Sequence, residues 1–210
     1  MKRAPALAVL DFAEVPAGID ATDAMLKKAP IAFFRSGTIT RGRYLTLLGG
    51  TPASVAEALA EGLARATGHV LDHVFLADVH PRLVEAIEAI EAGDAVAGRR
   101  TGAVGPLLVL ETATVSANVL AVEKALKGTQ VDLLEIRLGD AGLAGKGISL
   151  LTGELHELEA AVDLATAALG PAAGFAWRLL ARPHEALGRE LALGSAFSSS
   201  RFVDLGGEKG

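Results

Sequence analysis

The sequence predicts an α+β fold of two tandem domains, each of β-α-β-β-α-β order, with antiparallel sheets that carry both helices on one face. Three observations predict it: an internal repeat, short apolar runs alternating with amphipathic stretches inside each copy, and a core built of small aliphatic residues. Half of the 210 residues are hydrophobic and only 4% are aromatic, so Ala, Val, Leu and Ile must fill the interior.

The repeat sets the organisation. The segment LAVLDFAEVPAGIDATDAMLKKAPI from Leu7 matches LLVLETATVSANVLAVEKALKGTQV from Leu107 at a constant offset of 100, which pairs Leu10 with Leu110, Asp11 with Glu111 and Lys27 with Lys127. The offset grows to 103 where Gly42 meets Gly145, and to 104 where His80 meets His184. The added residues fall where loops are expected, since loops accept insertions. Each copy is therefore about 90 residues long, a normal size for one domain.

Within the first copy, Ala6 to Phe12 is an apolar run rich in Val and Leu that reads as a strand. Gly18 to Ala29 reads as a helix, with Ile19, Thr22, Ala24, Met25 and Leu26 on one face, ended by Pro30. Ile31 to Arg35 reads as a strand, Ser36 to Gly42 as a turn, and Tyr44 to Leu48 as the returning strand of a hairpin. Thr51 before Pro52 is an N-cap signature, and Val55, Leu59 and Leu63 recur at four-residue steps until Thr67 and Gly68 stop the helix. His73 to Ala77 supplies the fourth strand and Pro81 to Ala92 a final helix. This order is the split βαβ, ferredoxin-like arrangement.

Composition also excludes functions. The net charge of -5 argues against nucleic-acid binding, which wants a basic face with interleaved aromatics. No window offers the roughly 18 apolar residues of a membrane span, and Asp11 and Glu14 follow too soon for Met1 to Leu10 to be a signal peptide. With no cysteine, disulfides and thiolate-ligated metal centres are excluded, and a cytoplasmic location is expected. The loop GDAGLAGKGIS, Gly139 to Ser149, superficially resembles a phosphate-binding loop, but Asp140 and Gly147 stand where glycine and a hydroxyl are required. The five histidines lack metal-site spacing. The acid groups Glu85 with Glu88, and Glu154 with Glu157 and Glu159, read as solvated helix faces, and Ser198 to Ser200 as part of a polar tail.

The repeated strand, the small-residue helix ending in ATDAMLKKAPI or AVEKALKGTQV, the Gly-containing hairpin and the closing ARPHEAL together resemble the bacterial microcompartment shell domain. The resemblance implies two such domains, residues 4–92 and 105–192, a Gly-rich linker 93–104 and a flexible tail 193–210. It implies a structural protein of the cytoplasmic microcompartment shell with no cofactor, since the cysteine by which some tandem members hold an iron-sulfur cluster is missing. The implied assembly is a homotrimer that forms a pseudo-hexagonal tile beside hexameric and pentameric shell tiles. Its implied pore is lined by Ile39, Thr40, Arg41 and Gly42 alternating with Gly142, Leu143, Ala144 and Gly145, and passes small anionic metabolites.

The implied tile edge holds Lys27, Lys127, Arg182 and His184, with Asp78 where the first copy departs from arginine. The two lysines also suit plain solvated charges at helix C-termini, and Arg41 could instead fold onto a carboxylate. A trimeric ferredoxin-like regulator or enzyme with a ligand between subunits is the alternative function. A scaffold that binds cargo through Ser195 to Gly210 is another.

Overall fold

The computed structural model describes residues 6–91, 105–140, 142–191 and 193–207; the expected linker 93–104 lies outside the described residues. The first copy runs β1 (Ala6–Phe12), α1 (Val15–Lys28), β2 (Phe33–Ile39), β3 (Arg43–Gly50), α2 (Pro52–Arg65), β4 (Val70–Leu76) and α3 (Pro81–Glu91). The second repeats it as β5 (Leu107–Thr112), α4 (Val115–Gly128), β6 (Asp132–Leu138), β7 (Gly147–Thr152), α5 (Leu155–Ala168), β8 (Ala176–Leu180) and α6 (Glu185–Leu191). The sheets have the orders β2-β3-β1-β4 and β6-β7-β5-β8, antiparallel throughout. The pairing preserves the repeat offsets: Leu7 faces Gly49 and Leu76, and Leu107 faces Thr152 and Leu180.

Every residue of β1 is buried, which explains its nearly unbroken apolar sequence. Side chains alternate across a strand, so Ala6, Ala8, Leu10 and Phe12 meet α1 and α2 in one core. Leu7 and Val9 face the other way, into a second core that continues through α3 into the helices of the second domain. The two domains thus share a core over the open face of the first sheet. Asp11 belongs to that same face and is fully buried. Its carboxylate accepts hydrogen bonds from the N–H groups of Val115 and Ser116, at 3.1 and 2.9 Å, and from the Ser116 hydroxyl at 2.6 Å. It therefore caps the positive end of α4, where the first N–H groups have no partner within the helix. Thr114, the residue before α4, adds a bond from its hydroxyl to Asp72 at 2.5 Å.

A second carboxylate works in the opposite direction across the junction. Glu123, buried on α4, accepts from the His80 N–H at 3.0 and 3.2 Å, just ahead of α3, and pairs with Lys127 at 2.7 Å.

The copies also exchange bulk at one helix–strand contact. In the first, Tyr44 lies over Gly18, where an added Cβ would come within 2.5 Å of the ring. In the second, Gly147 and Asn118 occupy the matching positions and the crowding is reversed, a Cβ on Gly147 falling 2.3 Å from that of Asn118. Neither position tolerates enlargement alone, because interiors are close-packed.

Three expectations shift. α1 begins at Val15 rather than Gly18 and buries Gly18, Ala21, Thr22 and Met25, while Ile19, placed on the core face by its spacing, is 52% exposed. β2 spans Phe33–Ile39 rather than Ile31–Arg35; continuous pairing with β3 from Phe33 opposite Gly49 to Ile39 opposite Arg43 overrides the turn preference of Ser36, Gly37 and Thr38. β4 starts three residues early, at Val70, and ends at Leu76. Thr51 does cap α2, accepting from the Ser54 N–H at 3.2 Å.

Replacing Asp11 with Ala leaves two buried N–H groups without an acceptor, and the loss should be about 2–4 kcal/mol of unfolding free energy in urea titrations. The pH response follows from the direction of the shift. Burial raises the Asp11 carboxyl above its ordinary value, against the bonds from Ser116 and Val115 that lower it. A carboxyl raised in the folded state holds its proton more tightly there, so it favours folding at low pH and loses that contribution as pH rises through the folded value. Urea stability measured downward from neutral pH should therefore rise more for the natural chain than for Asp11→Asn.

Candidate functional site

The two hairpin loops that join the middle strands lie side by side. In the first, β2 runs into a tight turn at Thr40–Gly42 in which Arg41 and Gly42 both adopt φ of 68°. In the second, Gly139, Gly142, Ala144 and Gly145 have φ of 69°, 90°, 54° and 80°. The left-handed region costs a residue with a Cβ on the order of 1 kcal/mol, so Arg41 and Ala144 are held there by their surroundings. Both copies share the pattern of a side-chain-bearing residue followed by glycine, Arg41-Gly42 and Ala144-Gly145, in this conformation.

Thr40 ties the loops together. Its hydroxyl donates to the carbonyl of Gly139 at 3.2 Å and accepts from the Gly145 N–H at 2.9 Å. Arg43, at the start of β3, reaches into the second domain and donates from Nη1 to the carbonyls of Ala113 at 3.1 Å and Gly145 at 3.4 Å. The φ of 80° at Gly145 strains any residue with a Cβ, and a Cβ there would also lie 2.7 Å from Arg43 Nη1, displacing the guanidinium. Of the residues expected to line a pore, Arg41, Gly42 and Gly142 are exposed, Ile39, Thr40, Leu143 and Ala144 are half-buried, and Gly145 is buried. Arg41 makes no ion pair or side-chain hydrogen bond among the described residues, so its guanidinium is not folded onto a carboxylate there.

Behind the loops a cavity of about 610 Å³ separates β2 from β6, walled by Arg35, Leu45, Leu47, Ile90 and Leu138. Gly37 leaves open space above its backbone. On the far wall Glu135, raised above its ordinary value by burial, accepts from the Ser195 N–H at 3.0 Å. Arg137 pairs with Asp140 at 3.0 Å and donates to the Ser195 hydroxyl at 3.3 Å.

The expected edge residues do not form one cluster. Lys27 is exposed and pairs with Asp23 at 2.5 Å, among Asp20, Lys28, Glu61 and Arg65. There Arg65 grips Asp20 through two bonds of 2.6 and 3.0 Å and holds its carboxyl below the ordinary value. Lys127, besides its pair with Glu123, donates to the Asp78 carbonyl. Asp78 thus meets Lys127 through its backbone rather than its carboxylate. Arg182 and His184 are exposed; His184 Nδ1 accepts from the Ala186 N–H at 3.3 Å, as His80 Nδ1 accepts from that of Arg82 at 3.3 Å.

Sequence reasoning missed Arg43, Ser116 and Glu123, whose partners lie in the other domain. Asp11 carried a visible signal, a charge inside an otherwise apolar strand.

The BMC domain family matches residues 6–79 and again 106–178. The bacterial microcompartment shell protein PduT of Citrobacter freundii is 30% identical over 190 residues, covering 90% of this chain and 98% of that protein. The crystal structure of a microcompartment protein from Desulfitobacterium hafniense superposes with a TM-score of 0.71 at 28% identity, covering 89% of this chain and 99% of its own. A fused permuted hexameric shell protein of the RMM microcompartment, at 21% identity and a TM-score of 0.54, covers 80% of this chain and 85% of its own and shares the fold. With the domain found twice and the paired loops in place, the chain belongs to the BMC-domain family and is a tandem-domain bacterial microcompartment shell protein.

Proposed function

We propose that three copies close head to tail into a pseudo-hexagonal tile of the shell, non-catalytic, with the paired hairpin loops around a central pore. The observation that carries this is the unequal burial of two equivalent helices. Val119 on α4 is fully buried against the first domain, whereas Ile19, its counterpart on α1, is 52% exposed. Ser116, Ala117, Glu123 and Leu126 are likewise buried where Pro16, Ala17, Asp23 and Leu26 are exposed or half-buried. The junction inside the chain is thus one complete copy of a head-to-tail contact, and its two halves are left open at the ends of the molecule. One half is the outer face of α1; the other is the outer face of the second sheet. A repeated head-to-tail contact closes a ring when its rotation permits.

In such a ring Arg41 occurs three times around the opening, alternating with the uncharged turn Gly142, Leu143, Ala144 and Gly145. Unpaired guanidiniums at a constriction favour small anionic metabolites and oppose cations. Lys27, Lys127, Asp78, Arg182 and His184 face the rim, where hexameric and pentameric tiles abut.

Ile19→Asp should leave the far-UV circular dichroism of the folded chain unchanged, because the site is exposed within it, yet shift the native mass from trimer to monomer and remove the concentration dependence of the melting temperature. A trimer as stable as the natural one would count against the ring. Arg41→Ala in assembled shells should slow entry of a small anionic probe severalfold and leave that of a cationic probe equal or faster, read as the rate of quenching of an encapsulated dye.

A further inference from the structure

The polar contacts that hold the two loops together within the chain have only partial equivalents for the junction between chains. Arg43 and Lys146 hold the same position, each preceding the strand residue that begins the pairing with the central strand, Tyr44 opposite Phe12 and Gly147 opposite Thr112. The carbonyls that receive Arg43 belong to Ala113 and Gly145. Their first-copy counterparts are Ala13 and Gly42, and these are set up alike. The Ala13 N–H donates to the His69 carbonyl at 2.8 Å and the Ala113 N–H to the Ala173 carbonyl at 2.7 Å, while Gly42 and Gly145 share the left-handed conformation. The carbonyls of Ala13 and Gly42 accept no hydrogen bond among the described residues.

The other latch has no equivalent. Thr40, which bridges the loops inside the chain, corresponds to Leu143, which has no hydroxyl. The carboxylate cap is weakened as well, because Ser116 corresponds to Pro16, which has no N–H to offer Glu111. Lys146 is half-exposed and at present pairs with Glu111 at 2.6 Å.

We infer that Lys146 is the polar latch of the chain-to-chain junction. On ring closure its ammonium leaves Glu111 and donates to the backbone carbonyls of Ala13 and Gly42 of the partner subunit, fixing the turn that carries Arg41. This rests on the ring reading, and it makes Lys146 a positioning residue for the pore. Ammonium-to-carbonyl bonds in a partly dry contact are strong enough to matter for assembly.

The test compares Lys146→Ala, Lys146→Arg and Glu111→Gln in the full chain by native mass spectrometry across a concentration series, with thermal melts of each. Lys146→Ala should weaken the trimer at least about tenfold, with Lys146→Arg restoring it and Glu111→Gln leaving it as tight as the natural chain or tighter. Because the chain has no cysteine, the double variant Ala13→Cys, Lys146→Cys, held at a concentration where Lys146→Ala is still trimeric and treated with a short bismaleimide, should give covalent trimers without background. Equal effects of Lys146→Ala and Glu111→Gln, confined to the melts, would overturn the latch, and so would crosslinks confined to single chains. A natural chain that stays monomeric at every concentration would overturn the ring itself and the latch with it, whereas a tight trimer indifferent to Lys146 overturns the latch alone.

Discussion

A carboxylate inside a strand is tolerated only when something takes its charge, and the burial of Asp11 is the constraint around which the two domains are arranged. Water is excluded on every side, so the partners must be protein groups, and a free helix N-terminus supplies them. Placing α4 so that its first N–H groups meet Asp11 also lays Val119 against the apolar face of the first sheet. The polar contact fixes the register of the junction, and the apolar burial around it supplies most of the stabilisation. Glu123 and His80 repeat the device with the roles of the domains reversed, which resists sliding in either direction.

In the proposed ring a duplicated chain has one such junction inside and makes others outside. Duplication first gives both the same chemistry, and later substitutions at one leave the other alone. Pro16 against Ser116, Leu143 against Thr40 and Lys146 against Arg43 all weaken or simplify the outer contact, while the inner contact keeps its buried cap and hydroxyl bridge. Free energy is thus concentrated where the chain must fold by itself. The proposed outer contact would rely on half-exposed charges, whose pairing is worth less and is screened by salt.

Much of the fold was legible in the residues. The apolar run of β1, the Thr51-Pro52 cap and the repeat offsets gave the element order, because local stereochemistry and apolar patterning act over a few residues. The extent of β2 was not legible, since Gly37 and its neighbours prefer a turn until a long partner strand is present. Ile19 was misplaced for a related reason. Its spacing is that of a buried residue, and in the proposed ring the surface it suits belongs to the next subunit. Of the candidate site, the exposed glycine-flanked Arg41 could be picked out from the loop sequence, but Thr40 as a bridge and Arg43 as a strut could not, because their partners lie about a hundred positions away.

The sequence by itself determined that there are two copies of one α+β domain, which segments form strands and helices, and that the copies differ at the loops and at one end of the closing strand. Only the tertiary structure decided that the loops touch, that Lys127 meets the backbone of Asp78 rather than its carboxylate, and that Asp11 caps a helix of the other domain. Periodicity and capping are encoded within a helical turn or a pleat. The contacts between domains depend on how two finished faces pack, and that arrangement exists only once both sheets have formed.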